Sequence, residues 1–270
     1  MPGGPMPRIP STAHAELSRS PSYWTLSTSP LHVLVFLSPL IALYEFGSLY
    51  YLHNTSGAIR TVGANDLLVR FFDLFGATGL HLPAITLVVV LLIWHILSKD
   101  SWKIRSDVLA GMALESCVLV LPLLVLGLVM HSQDEKARLA ALALENPVVD
   151  LRDSSWQARL TLSIGAGLYE ELLFRLVMIT GIHIFLADVF RVPKRTAAVV
   201  ACLISAVAFA LYHDISIAGL RTGTDIRPFL FLTAAGGYFA ALFLMRGFGI
   251  VVAAHALYDI VVLVVMPMRS

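Results

Sequence analysis

Charge is scarce in this sequence. Asp, Glu, Lys and Arg make up 14% of its 270 residues, against about 25% in a soluble domain. With 57% of residues hydrophobic, that balance excludes an ordinary water-soluble globule and leaves a polytopic membrane protein. The formal net charge of +1 removes the electrostatic basis for a nucleic-acid partner. Cysteine is nearly absent as well. Cys117 and Cys202 both fall in apolar segments and are expected as buried thiols that pack as small hydrophobes, which leaves no disulfide and no thiolate metal site. There is no HExxH, no GxxxxGK and no GxGxxG following a strand. A repeat of about 20–50 residues is also missing, which excludes solenoid architectures.

What the chain does have is long apolar runs. A membrane-spanning helix needs about 20 of them in succession, and seven candidates appear, at about 30–52, 81–98, 107–130, 158–186, 196–213, 228–245 and 248–267. The expected fold class is therefore all-α, a polytopic transmembrane helix bundle. Between the first two spans, "GANDLLVRFFDLFGATG" sets Leu67, Leu68, Phe71, Phe72 and Phe75 at helical spacing against Asp66, Arg70 and Asp73. This suits an amphipathic helix lying in the interface, with a short re-entrant or buried loop helix as the alternative.

Three regions follow. Residues 1–28 are rich in Pro, Ser and Gly, lack an apolar core, and read as a polar disordered or surface-lying tail and not a signal peptide. Residues 29–157 hold N-terminal spans and surface loops, including a polar connection at 131–157 expected to carry a short surface helix ending before Pro147. Residues 158–267 form the third region. Lys99, Lys103 and Arg105 in one short loop, and Arg191, Lys194 and Arg195 in another, fall on the same side of a seven-span chain. The positive-inside rule makes that side cytoplasmic, with the N-terminus inside and the C-terminus outside.

The third region places charges at membrane depth. "GLYEELLFRL" puts Glu170, Glu171 and Arg175 mid-span, where each charge costs at least about 2.5–3.5 kcal/mol. Glu171 and Arg175 are four apart in the favourable order, acid first, and form an expected local ion pair. Glu170 points about 100° away with no cation within reach on its own helix, which leaves it able to take and give a proton. "VAFALYHD" sets Phe209 and His213 four apart, and "AAHALYDIV" does the same for His255 and Asp259. Three apolar helices thus each carry such a pair, and the polar members escape lipid only by pointing inward. His32, His95 and His183 read as hydrogen-bonded core residues, and Glu45 and Glu115 as single acids bonded to a neighbouring helix. Ser163 and Ser205 have no base at matching spacing. What remains is a carboxylate that activates water, with histidines that polarise a carbonyl or bind a metal, hence amide hydrolysis within the membrane.

"EELLFR", "FALYH" and "HALYD" resemble, in order and separation, the EExxxR, FxxxH and HxxxN/D motifs of the type II CAAX prenyl protease and bacteriocin-processing (CPBP, or ABI) family. The resemblance covers about residues 155–267. It implies an intramembrane endopeptidase acting on a membrane-anchored protein or peptide, in which Glu170 is the general base working with His213. His255 and Asp259 would stabilise the oxyanion, or Asp259 would orient His255. Glu171 with Arg175 would be structural, as would Phe209. The family has also been described as metal-dependent. The preferred expectation is no metal and no cofactor, and the alternative is zinc held by His213, His255, Glu170 and Asp259. A proton-coupled transporter and a non-catalytic scaffold that binds a partner helix stand as rival classes, the first disfavoured by the lack of an inverted repeat. Location in a bacterial plasma membrane suits the span count.

Overall fold

The computed structural model describes residues 21–52, 61–77, 79–131, 154–213 and 215–266. The surface helix expected before Pro147 lies outside them. Ten helical elements are named here: α1 (Tyr23–Leu26), α2 (Pro30–Tyr51), α3 (Gly63–Asp73), α4 (Leu82–Ser98), α5 (Ser106–Met130), α6 (Trp156–Val189), α7 (Lys194–Tyr212), α8 (Ile217–Thr222), α9 (Ile226–Arg246) and α10 (Phe248–Val265). There is no strand among the described residues. Six of the helices, α2, α5, α6, α7, α9 and α10, are long and apolar enough to cross a membrane. The seventh, α4, has 17 residues, the lower limit for a span. The chain is a polytopic helical membrane protein.

Local sequence sets the helix boundaries. Pro30 opens α2 and Pro83 lies in the first turn of α4, where a missing N–H costs nothing. The Ser155 hydroxyl caps α6 by accepting from the Ala158 N–H at 3.2 Å. Gly247, at φ +79°, is the single residue between α9 and α10; a side chain there would be strained, so the sharp reversal depends on glycine. Large apolar side chains such as Phe46, Ile96, Leu97, Leu114, Leu203 and Leu244 point outward, as a lipid-facing surface requires. Cys117 is among the outward-facing residues. The expectation of two buried thiols therefore fails for Cys117 and is met only in part by the half-buried Cys202, because an apolar run that faces lipid looks the same in sequence as one that faces the core.

The third region builds the centre of the bundle. In α10, 72% of residues are buried, against 44% or fewer in any other spanning window, so α10 is its axis. It crosses α6 at Gly167, where an added Cβ would lie 2.7 Å from the Ala256 amide nitrogen. Helix α2 runs along α6 through two more close approaches: a Cβ on Gly47 would meet Thr161 Oγ1 at 2.3 Å, and one on Gly165 the Tyr44 ring at 2.2 Å. Helix α3 forms where the amphipathic pattern placed it. Gly63, Ala64 and Asn65 are buried while Leu67, Phe71 and Phe75 are exposed, so its apolar face turns away from the bundle.

Residues 21–28, counted above with the tail, carry α1, which is tied to the core. Arg246 donates to Glu115 Oε2 at 2.7 Å and to Ser27 Oγ at 3.2 Å, and its guanidinium lies 3.9 Å from the centre of the Trp24 ring. The Tyr23 hydroxyl donates to the same carboxylate. Burial beside Glu115 raises the Tyr23 pKa to about 12. Glu115 thus bonds a neighbouring helix, as the sequence suggests. His32 is also a hydrogen-bonded core residue, 2.7 Å from Ser29 Oγ through Nδ1. His95 is buried but departs from the expectation: neither ring nitrogen has a hydrogen-bond partner among the described residues, and the ring meets the Trp102 ring edge-on at 4.4 Å. His183 is half-buried.

Candidate active site

The three charged pairs converge. Glu170, Glu171 and Arg175 on α6, His213 directly after α7, and His255 and Asp259 on α10 are all between 0% and 5% exposed. Glu170 Oε2 lies 3.5 Å from His213 Nε2 and 3.9 Å from His255 Nε2. His255 Nε2 is 3.5 Å from Asp259 Oδ2. Neither carboxylate oxygen of Glu170 has a hydrogen-bond partner among the described residues, although the group is fully buried.

Both imidazoles are held in one tautomer by their Nδ1 atoms. His213 Nδ1 lies 2.6 Å from the Phe209 carbonyl oxygen, which can only accept, so Nδ1 carries the proton. This contact exists because α7 ends at Tyr212 and His213 leaves it with extended backbone, φ −96° and ψ 94°. His255 Nδ1 donates to Glu171 Oε1 at 2.7 Å. In each ring Nε2 is left facing Glu170, since the hydrogen bond at one nitrogen decides what the other presents.

Glu171 therefore does more than the sequence indicates. Its Oε2 lies 3.0 Å from Arg175 Nε, the expected i, i+4 pair, while its Oε1 orients His255. The Arg175 guanidinium is 4.5 Å from the centre of the Phe209 ring and 5.5 Å from that of Phe239, and a cation so placed is stabilised by the ring faces. Phe239 also stacks on His255, with centroids 4.5 Å apart and planes 16° apart. Neither Phe239 nor the bond from Glu171 to His255 belongs to a motif. The first joins consecutive helices and the second helices 84 residues apart, and both depend on how the helices are rotated, which the spacing does not signal. Phe209 sits where the motif puts it, its ring 4.5 Å from that of His213.

Immediately after Glu171 the backbone of α6 changes to a π-helix over Leu172–Ile179. Such segments are rare and are frequently found at functional sites. Ser205 donates to the Phe174 carbonyl at 2.9 Å and Ser163 to the Arg159 carbonyl at 2.8 Å. Both hydroxyls serve the backbone and neither stands as a nucleophile.

A zinc ion takes N and O ligands at about 2.0–2.2 Å in a tetrahedral set. Among the described residues, no group of three or more His, Cys, Asp or Glu side chains is arranged to hold a metal ion.

Close approach at Gly167 is what lets α6 bring Glu170 and Glu171 up to α10. A Gly167→Val variant must push the helices apart, because the obstructing atoms are the Ala256 N and Val252 O of the backbone. It is expected to lose cleavage activity by about 10²-fold or more, since a displacement of about 1 Å costs that much. Kinetics on folded, monodisperse protein in detergent would check this, and a fully active Gly167→Val variant would contradict the packing argument.

Fold and site together define a polytopic helical membrane protein with a buried carboxylate–imidazole centre shared by three spans. Residues 153–261 match the family model "Type II CAAX prenyl endopeptidase Rce1-like". The matched part of the chain holds the whole centre and the three motifs that resemble this family. No curated protein and no solved structure matches the chain.

Proposed function

We propose that this protein hydrolyses a peptide bond of a membrane-anchored protein or peptide by a metal-independent glutamate–histidine mechanism. The observation that carries this reading is the convergence of two Nε2 atoms on a buried Glu170 carboxylate that has no hydrogen-bond partner among the described residues. Glu170 takes a proton from water while the water oxygen forms a bond to the scissile carbonyl carbon. His213 Nε2 receives the second water contact and orients the attack. His255, oriented through Nδ1 by Glu171, donates from Nε2 to the developing oxyanion once that nitrogen also carries a proton. The C–N bond then breaks, and the proton held by Glu170 passes to the leaving amine. Glu171, charge-balanced by Arg175, holds His255 in orientation.

The test is cleavage of a synthetic membrane peptide by purified protein in detergent, before and after dialysis against a strong chelator. Equal rates are expected, with well under one zinc per chain by elemental analysis. Activity and stoichiometric zinc lost together in His213→Ala would favour the metalloprotease, and no cleavage of any membrane peptide would favour a carrier or scaffold.

We also propose that the centre opens toward the outer face. Helix α7 has 19 residues, about 28 Å at 1.5 Å per residue, close to the whole hydrocarbon core of about 30 Å. His213 follows its last residue, so the centre lies at that end. Counting along the other spans places it deeper, but the fold supports the α7 count. Helix α6 has 34 residues, about 51 Å, and must tilt or project, so depth cannot be counted from its start. Helix α10 starts beside Arg246, which pairs with Glu115. Glu115 lies nine residues into α5, about 14 Å from its start, so α10 begins inside the membrane and His255 is carried toward the far side. With the basic loops inside, an impermeant thiol reagent applied to intact cells should label Arg221→Cys and spare Lys194→Cys. The opposite pattern would invert the topology. An outward site suits the trimming of an exported protein's anchor.

A further inference from the structure

The Glu170 face of α6 is built by α7 and α10. The face about 100° round, one residue earlier, is held by the N-terminal helices, which the family match does not cover. The Tyr169 hydroxyl donates to Glu45 Oε1 of α2 at 2.9 Å, and Tyr169 is 1% exposed. The second oxygen, Glu45 Oε2, accepts from His81 Nδ1 at the start of α4. The Tyr44 ring meets the Tyr169 ring edge-on, with centroids 4.9 Å apart. Asn65 of α3 is 0% exposed and packs into the same region.

This bond is the last of three clasps between α2 and α6. The other two are glycine close approaches, Gly47 on Thr161 and Gly165 on Tyr44, which leave no room for sliding. Three residues beyond Tyr169 the π segment begins at Leu172. The regular ladder thus ends just after Glu170, which is the second-last residue of the α-helical part, so the rotation that aims Glu170 is set by the turns before it. A bond to another helix at Tyr169 anchors that rotation. Tyr169 is adjacent to Glu170 and anchored to α2, whereas Glu170 itself has no hydrogen-bond partner among the described residues.

We propose that Glu45 and Tyr169 are positioning residues for Glu170, with His81 holding the carboxylate that receives the tyrosine hydroxyl. The proposal rests on the endopeptidase reading for its kinetic consequence, though not for its geometry. Neither residue touches the reacting atoms; they act through the rotation of α6. An acid in α2 thereby joins the N-terminal helices to the chemistry of the C-terminal ones.

The experiment uses the purified full-length protein and four variants: Tyr169→Phe, Glu45→Leu, Glu45→Gln and, as a reference, Glu170→Gln. Tyr169→Phe and Glu45→Leu should lower kcat between about tenfold and 10²-fold, in line with a small misplacement of a reacting group, with KM within about twofold of wild type. Glu45→Gln keeps an acceptor for the tyrosine hydroxyl and should retain most of the rate. Unchanged kcat in Tyr169→Phe, or equal damage from Glu45→Gln and Glu45→Leu, overturns the proposal. The second measurement needs no activity: histidine ring NMR of the same proteins in micelles. Tyr169→Phe should move the His213 ring signals in the direction that Glu170→Gln moves them, while Glu45→Gln leaves them in place. Unmoved His213 signals in Tyr169→Phe overturn the proposal. A wild-type protein that cleaves nothing sinks the endopeptidase reading alone, and the ring signals then decide the positioning.

Discussion

Replacing Glu170 by glutamine is expected to abolish cleavage while leaving the fold intact. Glutamine matches the shape of the side chain but cannot accept a proton from water, and general base catalysis contributes about 10²–10⁴-fold on its own. The fold should tolerate the change because, among the described residues, Arg175 keeps its ion pair with Glu171 when Glu170 is replaced. Its nearest charged-capable neighbours are the Nε2 atoms of His213 and His255 at 3.5 and 3.9 Å, and both rings are held independently through Nδ1. Expression and thermal midpoint should therefore stay close to wild type. Retained turnover in Glu170→Gln would refute the role given to this residue, and unfolding would show the centre to be misread.

Much of this site is legible in one sequence because its elements are local. An i, i+4 spacing puts Glu171 against Arg175 and His255 near Asp259 on any helix, and the structure has these contacts at 3.0 and 3.5 Å. The cost of a charge in lipid then forces the pairs inward, which predicts convergence without any knowledge of tertiary structure. The illegible part depends on which helices are neighbours and how they are rotated. The bonds from Glu171 to His255 and from Tyr169 to Glu45 cross 84 and 124 residues. The π segment after Glu171 carries no sequence signal of its own. Depth in the membrane is not legible either, for a related reason. Residue counting assumes that every span starts at the membrane surface, whereas α10 starts beside the part-buried Arg246–Glu115 pair and α6 is longer than the membrane is thick. The apolar periodicity of α4 and α5 likewise could not separate a lipid-facing Cys117 from a core one.

Glu171→Gln should show the reverse behaviour, with stability lost first. Arg175 is fully buried, and its other contacts are aromatic faces and the Gly236 carbonyl at 3.4 Å. None of these supplies a negative charge. Removing one partner of a buried pair typically costs about 3–5 kcal/mol, because the remaining charge is left uncompensated. A fall of that size is a large fraction of the net stability of an ordinary domain, about 5–15 kcal/mol, and should appear as a lower thermal midpoint and poor recovery from detergent. The double variant Glu171→Gln/Arg175→Met separates the two duties of Glu171. It removes both charges and offers an apolar chain of similar length to the Phe209 and Phe239 rings, so most of the stability should return. Activity should not return, because His255 Nδ1 would face a neutral amide where it now donates to a carboxylate at 2.7 Å. Losing the carboxylate that orients a reacting imidazole costs on the order of 10⁴-fold in a serine-protease triad, and a kcat reduced by at least about 10²-fold is expected here. Recovery of both stability and kcat in the double variant would reduce Glu171 to the structural role that its motif alone suggests.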